Sequence, residues 1–315
     1  MKHLKILFMG TPEFSVPMLK AIHESNHDLV AAVTAVDKPA GRGRKLNKSA
    51  VKQYAEDKGI PVFQPKNLKS DEFLKAIESL NPNLIVVVAF RMLPEQVWSY
   101  PKYGTFNLHA SLLPQYRGAA PINWAIINGE KETGLTTFFI DEKIDTGAII
   151  NQVKIPIAIT DNVEDIYSKM LPKGSELVLD TINGIAENKI ETSIQNNTEN
   201  LKMAPKLTKD NTKIDWSDSA ENIYNLVRGL APFPLAWCVL INGEDKIHCK
   251  ISEVSYENLS HHKIPGEIYI KDSSFLVAVK DGFIEVKKIK LSGKRLLDTK
   301  DLLNGYEIYK GSKMQ

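Results

Sequence analysis

The segment Phe106-Asn107-Leu108-His109-Ala110 sets two polar side chains two residues apart inside an apolar run. Strand alternation puts Asn107 and His109 on one face and Phe106 and Leu108 on the other. An amide and an imidazole that converge at a strand end can donate hydrogen bonds to an oxyanion and move a proton. In a parallel βα sheet the ligand crevice lies outside the carboxyl ends of the strands, where a strand ending at His109 delivers both groups. A histidine at a strand end is more often a satisfied structural residue, so the pair alone leaves both readings open.

Two further segments bear on the choice. Ser111-Leu112-Leu113-Pro114-Gln115-Tyr116 and then Arg117-Gly118-Ala119-Ala120-Pro121 follow at once, and a proline- and glycine-containing loop after a strand reads as a binding loop or as a rigid turn. Asp141 to Gly147 separates two strand-like runs and either brings Asp145 beside the histidine or forms a plain hairpin turn. A carboxylate beside an imidazole fixes its tautomer, so Asn107, His109 and Asp145 together make an acid–base and oxyanion-stabilising set.

Other chemistries fit less well. The turn after the first apolar run reads Gly10-Thr11-Pro12-Glu13-Phe14-Ser15, which lacks the glycine fingerprint of a dinucleotide site and sets a carboxylate where a pyrophosphate would sit. There is no phosphate loop ending in Gly-Lys-Ser/Thr and no Gly-x-Ser-x-Gly elbow. His261-His262 has no spaced ligand partner and reads as an exposed loop pair, so no metal is expected.

The elements that must position these groups are visible in the apolar periodicity. Strand-length runs at Lys5–Met9, Leu29–Val36, Pro61–Phe63, Leu84–Phe90, Thr105–Leu108, Leu135–Ile140 and Ile149–Ile155 alternate with helix-period segments at Val16–Ser25, Ala50–Lys58 and Asp71–Leu80. A long amphipathic stretch from Val163 to about Gly184 closes this half. The expected fold is α/β, a Rossmann-like doubly wound and mostly parallel sheet, with Leu84–Phe90 as its central strand because that run is apolar on both faces. A polar stretch then reads as a linker. Beyond it lie one helix, Ser219–Gly229, and five short strands between Trp237 and Ile289, which favour a smaller OB-like β-barrel. The division expected is 1–189, 190–206 as linker, and 207–315.

With 40 basic and 38 acidic residues in 315, only local charge can argue for nucleic acid. The run Lys38-Pro39-Ala40-Gly41-Arg42-Gly43-Arg44-Lys45, continued by Lys48 and Lys52, contains no acid, and its proline and glycines predict a mobile basic loop suited to phosphate. The alternative is a solvated loop that binds nothing. Lys287, Lys288, Lys290, Lys294 and Arg295 form a second cluster in the barrel. The longest apolar run is seven residues, far short of the ~18 of a membrane span. Cys238 and Cys249 cannot build a disulfide framework, and the N-terminal run reads as a strand, so a cytoplasmic protein is expected.

Taken together, Asn107-Leu108-His109-Ala110-Ser111-Leu112-Leu113-Pro114, then Tyr116-Arg117-Gly118-Ala119-Ala120-Pro121-Ile122 and Asp145-Thr146-Gly147, resemble the folate-dependent formyltransferases. The Gly10-Thr11-Pro12-Glu13-Phe14 opening, the basic loop, and Lys206-Leu207 with Ile214-Asp215-Trp216 resemble the members of that family that act on tRNA. The resemblance runs from about residue 4 to 305 and departs at Phe90-Arg91 and Lys143-Ile144. It implies 10-formyltetrahydrofolate as formyl donor and initiator methionyl-tRNA as acceptor; a monomer is expected, with no metal and no membrane. By position Asn107, His109 and Asp145 match the catalytic residues, and Ser111, Leu112, Leu113, Pro114, Gln115 and Tyr116 the folate-site loop. Arg42, with Arg44 and Lys45, falls in the loop that meets the acceptor arm, and the Leu113-Pro114 bond is expected to be cis. The rivals are an enzyme using the same donor on a small amine or on water, an RNA-binding module without activity, and a nicotinamide dehydrogenase.

Overall fold

The computed structural model describes residues 2–40, 45–196 and 200–315, with the backbone alone at 39, 40 and 45. In chain order the elements are β1 (Lys5–Gly10), α1 (Val16–His23), β2 (Asp28–Val33), β3 (Lys38–Ala40), β4 (Lys45–Asn47), α2 (Ala50–Asp57), β5 (Val62–Phe63), α3 (Asp71–Leu80), β6 (Leu84–Val88), α4 (Glu95–Trp98), β7 (Thr105–His109), β8 (Arg117–Gly118) and α5 (Pro121–Ile127). They continue with β9 (Glu132–Phe139), β10 (Ile149–Pro156), α6 (Val163–Glu187), β11 (Met203–Ala204), α7 (Ala220–Leu230), β12 (Ala236–Asn242), β13 (Asp245–Asn258), β14 (Ile268–Lys271), β15 (Ser274–Val279), β16 (Gly282–Leu291), β17 (Leu297–Asp298), α8 (Thr299–Gly305) and β18 (Lys313–Met314).

The chain forms two compact units that interleave along the sequence: Met1–Gly118, Thr133–Ile155 and Tyr167–Met203 make the first, and Ala119–Glu132, Pro156–Ile166 and Ala204–Gln315 the second. In the first, a seven-stranded sheet runs β10-β9-β7-β6-β1-β2-β5. From β5 through β2, β1 and β6 to β7 the neighbours are parallel, and β9 joins antiparallel to β7. β6 is central and every one of its residues is buried, as expected of a strand covered on both faces. Leu7, Met9, Ile85 and Val87 pack with Phe73 and Ile77 of α3 on one face. On the other, α6 approaches so closely that a Cβ at Gly174 would lie 2.2 Å from Met18 of α1 and 3.3 Å from Leu108 of β7. Strand order reverses between β1 and β6, the switch point at which such sheets open a crevice.

Serines start three of the helices. Ser49, Ser70 and Ser219 accept the backbone N–H three residues on, satisfying a donor that the first turn leaves unpaired. The basic segment is not a plain loop. β3 and β4 pair antiparallel, Lys38 with Asn47 and Ala40 with Lys45, so its two flanks form a short ribbon. The polar stretch expected as a linker is fastened to the first unit over much of its length: Ser193 bridges Ile149, Gln195 is buried, and the Lys202 carbonyl accepts from the Tyr116 N–H.

The second unit holds an antiparallel sheet in the order β14-β15-β16-β13-β12-β18, with β17 on β16. The sheet curls until its ends meet at the Glu267–Lys313 bridge, closing an OB-like half-barrel over Phe275, Val277, Ile284, Val286 and Leu240. Cys238 and Cys249 face each other across β12 and β13, both buried in that core. His261, expected to be exposed, is half-buried instead: its ring lies 4.6 Å from Phe283 and its Nε2 hydrogen bonds to the Gly282 carbonyl. Among the described residues no helix is long and apolar enough to cross a membrane.

Candidate active site

β7 delivers Asn107 and His109 as its alternation dictates: Phe106 and Leu108 are buried in the core, and the two polar residues take the opposite face. The Oδ1 of Asn107 is buried without a hydrogen-bond partner. Such a group costs roughly 1–3 kcal/mol unless a ligand satisfies it. His109 is 6% exposed, and its Nε2 lies 2.8 Å from the carbonyl oxygen of Tyr116. A carbonyl only accepts, so Nε2 carries a proton and Nδ1 is left facing the other side of the ring. There Asp145 Oδ2 lies 3.8 Å from Nδ1, with side-chain exposures of 7% for His109 and 12% for Asp145.

Asp145 is brought to this place by its own loop. Asp141 Oδ1 accepts from the Lys143 N–H and the Thr146 hydroxyl, which folds residues 141–146 into a compact turn. Asp145 sits in the left-handed region at φ 56° and accepts the Gly118 N–H at 3.0 Å. Gly147 then passes so close to the Phe139 carbonyl that a Cβ would stand 1.7 Å from its oxygen, so only glycine fits.

The loop after β7 is braced from several sides. The Leu113-Pro114 bond is cis, as the resemblance implied. Ser111 is fully buried and its hydroxyl donates to the Gln115 carbonyl, while Gln115 Oε1 accepts from the Lys202 N–H. Thr136 Oγ1 donates to the Ser111 carbonyl and accepts from the Leu113 N–H, and Gln152 donates to both Thr136 and the Leu113 carbonyl. Tyr116 takes φ 60°, the turn that presents its carbonyl to His109. Nearby, Phe90-Arg91 leaves β6 with the Arg91 guanidinium donating to the carbonyls of Pro65 and Lys66.

Of the basic residues singled out, Arg42 and Arg44 and the side chain of Lys45 lie outside the described residues. Lys48 is paired with Glu56 at 2.7 Å. Lys52 is paired with Asp37 at 2.5 Å and also donates to Gln64. Lys52, together with the Gln64 amide that donates to Asp37 Oδ1 at 2.7 Å, holds the Asp37 carboxyl below the ordinary carboxylate range. In the second unit Lys287 is paired with Glu285 and Lys288 with Glu253.

Comparison with known proteins shows the family of the chain. The formyl transferase family matches residues 4–182, and the formyl transferase C-terminal domain matches residues 206–307. The chain belongs to the formyl transferase family. Relatives in that family include a methionyl-tRNA formyltransferase of Flavobacterium psychrophilum, 50% identical over 306 residues that cover 97% of either chain. The protein of the same name from Bacteroides fragilis is 47% identical over 317 residues, covering 99% of this chain and 98% of its own. Among solved structures, the sugar 3N-formyl transferase WlaRD, crystallised with dTDP and 5-N-formyl-THF, shares the fold at TM-score 0.65 and 24% identity, covering 93% of this chain and 99% of its own. HypX from Aquifex aeolicus, in complex with tetrahydrofolic acid, does so at TM-score 0.63 and 18% identity, covering 98% of this chain and 48% of its own.

The residue of this formyl transferase that sequence reasoning missed is Gln195. It is 6% exposed, and its Nε2 donates to the carbonyls of Asp145 at 2.9 Å and Gly147 at 2.8 Å. Its Oε1 accepts from Arg117 Nε at 3.1 Å and Nη2 at 2.7 Å. One side chain thus ties the Asp145 loop to the end of the loop after β7. A polar residue in a polar stretch carries no periodic signal, and its partners lie 48 to 78 positions away.

Proposed function

We propose that this formyl transferase moves the formyl group of 10-formyltetrahydrofolate onto the α-amine of methionine esterified to initiator tRNA, giving formylmethionyl-tRNA for translation initiation in the cytoplasm. The observation that carries the reading is the buried, unpartnered amide oxygen of Asn107 beside the His109–Asp145 pair, at the carboxyl end of β7. Support for the substrate comes from relatives near 50% identity over almost the whole chain.

In this reading Asn107 serves both ends of the reacting group. Its amide nitrogen donates to the oxyanion that develops on the formyl oxygen, and its oxygen accepts from a substrate N–H. His109, held through Nε2 by the Tyr116 carbonyl, donates from Nδ1 as the imidazolium. The 3.8 Å between Nδ1 and Asp145 Oδ2 is too long for a direct hydrogen bond, but both can reach one atom about 2.8 Å from each. Asp145, fixed by the Gly118 N–H, takes the amine proton directly or through a water at that point. One C–N bond forms to the amine, the bond from the formyl carbon to folate N10 breaks, and the proton ends on N10.

Residues 111–116 form the wall of the folate site and 1–189 carry the reaction, while 207–315, reached through 190–206, hold the tRNA. Lys48 and Lys52 are neutralised by Glu56 and Asp37, and phosphate contact in the basic segment is assigned to Arg42, Arg44 and Lys45. The enzyme works as a monomer.

The test is formyl transfer to charged initiator tRNA, with charged elongator tRNA and glycinamide ribonucleotide run in parallel. Product on the initiator alone is expected. Product on the small amine, or hydrolysis of the donor with no acceptor formylated, overturns the assigned acceptor.

A further inference from the structure

In the second unit three side chains line up across three strands. Trp237 of β12 stands opposite Lys250 of β13, and Lys250 stands opposite Lys290 of β16. Directly opposed residues share a face, and here it is the outer one, since the alternating neighbours Cys238, Cys249, Ile251 and Leu291 are buried in the core. Two lysines directly opposite each other repel. Elsewhere on these strands Lys287 and Lys288 are each neutralised by a glutamate, at 2.5 and 2.7 Å. Lys250 and Lys290 have no carboxylate partner among the described residues. Lys250 donates to the Pro234 carbonyl at 2.9 Å.

The same face carries an aromatic platform. The Trp237 ring lies 5.7 Å from the ring of His248, tilted by 38°, and the Nζ atoms of Lys209 and Lys213 stand 5.1 and 5.6 Å from its centroid. Its indole N–H donates to the Lys209 carbonyl at 2.7 Å, which fixes the ring, and its backbone carbonyl accepts from the Ile214 N–H, which fixes the strand beneath it. A cleft of about 610 Å³ opens over it. Lys209, Lys250 and Lys290 are in its wall with Trp237 and His248, and among the described residues no aspartate or glutamate lines it.

A held indole, a second ring beside it, and ammonium groups gathered without a counter-charge match one chemistry: a flat base joined to a phosphate. Stacking on aromatic side chains with cations along the backbone is how unpaired nucleotides are bound without sequence reading. We propose that this cleft binds one unpaired nucleotide of an RNA chain, its base on Trp237 and His248 and its phosphate on Lys250 and Lys290. The assignment deepens the tRNA reading by giving the second unit a defined nucleotide site.

The experiment measures binding with neither folate nor amino acid present, so it succeeds or fails apart from formyl transfer. The full chain is titrated with a fluorescein-labelled oligoadenylate hexamer, with a duplex RNA of the same length as comparison and AMP as competitor. We expect the hexamer to bind more tightly than the duplex, Trp237→Ala to lose about tenfold, and Trp237→Phe to recover most of it. Because Trp237 also anchors the Lys209 segment, the exposed pair Lys250→Gln and Lys290→Gln provides a second route. The double variant should keep the wild-type circular dichroism, bind about tenfold more weakly at low salt, and show a flatter salt dependence. Wild-type affinity in the lysine double variant overturns the site. Displacement of the hexamer by AMP at equal nucleotide concentration overturns the assignment to an RNA chain in favour of a free nucleotide.

Discussion

Replacing Gln195 by alanine tests whether the Asp145 loop is held in place from outside itself. The change removes two hydrogen bonds to the carbonyls of Asp145 and Gly147 and two from the Arg117 guanidinium, at a site where Gln195 is 6% and Arg117 8% exposed. Net values of about 1 kcal/mol for each neutral bond, and about 1.5 for those to a charged group, sum to about 5 kcal/mol, and relaxation of neighbouring groups onto other partners brings the loss to roughly 2–4 kcal/mol. That lowers the melting temperature by on the order of 10 °C. Displacing a catalytic group by about 1 Å costs up to ~100-fold in rate, so kcat for formyl transfer should fall between tenfold and a hundredfold. Gln195→Glu separates the two ends of the bridge. It keeps the acceptor for Arg117 but turns a carboxylate toward two carbonyl oxygens, so it should match alanine in kcat while losing less stability. Calorimetry and steady-state kinetics at saturating tRNA decide it. If Gln195→Glu retains wild-type kcat and Gln195→Ala stays within twofold, the bridge does not position Asp145.

Asn107→Ala and His109→Ala should each lower kcat by ~10² to 10³ with the fold intact, the usual cost of removing one oxyanion donor, and Asp145→Ala should impair proton movement to a comparable degree. Losses under about tenfold would take the residue out of the chemistry. Gly147→Ala pushes a methyl into the Phe139 carbonyl, so it should cost about 1–3 kcal/mol in stability and most of the activity, whereas alanine at Gly59, with open space around it but φ 68°, should leave activity untouched. Neutralising Arg42, Arg44 and Lys45 to Gln should weaken tRNA binding and flatten its salt slope by about 1 for each phosphate that is no longer neutralised; an unchanged slope refutes the role of the basic segment. Asp37, whose carboxyl is held low chiefly by its hydrogen bonds to Lys52 and Gln64, contributes stability above the ordinary carboxylate pKa. That contribution fades as pH falls through the depressed value. The stability gap between wild type and Asp37→Asn in urea should therefore be present at pH 7 and close as pH falls below the ordinary carboxylate range, and a constant gap contradicts the ion pair.

Most elements were readable because their signals are local. Leu84–Val88 is apolar on both faces and became the central strand, and Phe106 to His109 alternates and became the strand that presents the two polar groups. The half-barrel strands from Trp237 to Ile289 appeared close to where their alternation put them. α5 was not expected, because seven residues opening with Pro121 inside a glycine- and alanine-containing loop offer too short a period to read. Lys38–Ala40 and Lys45–Asn47 were hidden for a related reason: three-residue strands flanked by glycines show composition but no alternation.

What the sequence determined alone is the set of candidate groups and the strand that carries two of them, because residue type and a spacing of two are properties of the chain. What only the tertiary structure decided is which way those groups work. The Tyr116 carbonyl claims His109 Nε2 and turns Nδ1 toward Asp145, the Gly118 N–H and Gln195 hold the Asp145 loop, and Lys250 meets Lys290 across two strands without a counter-charge. Each of these rests on partners far apart in the chain, and a hydrogen bond or a like-charge contact exists only once folding has brought them within a few ångströms.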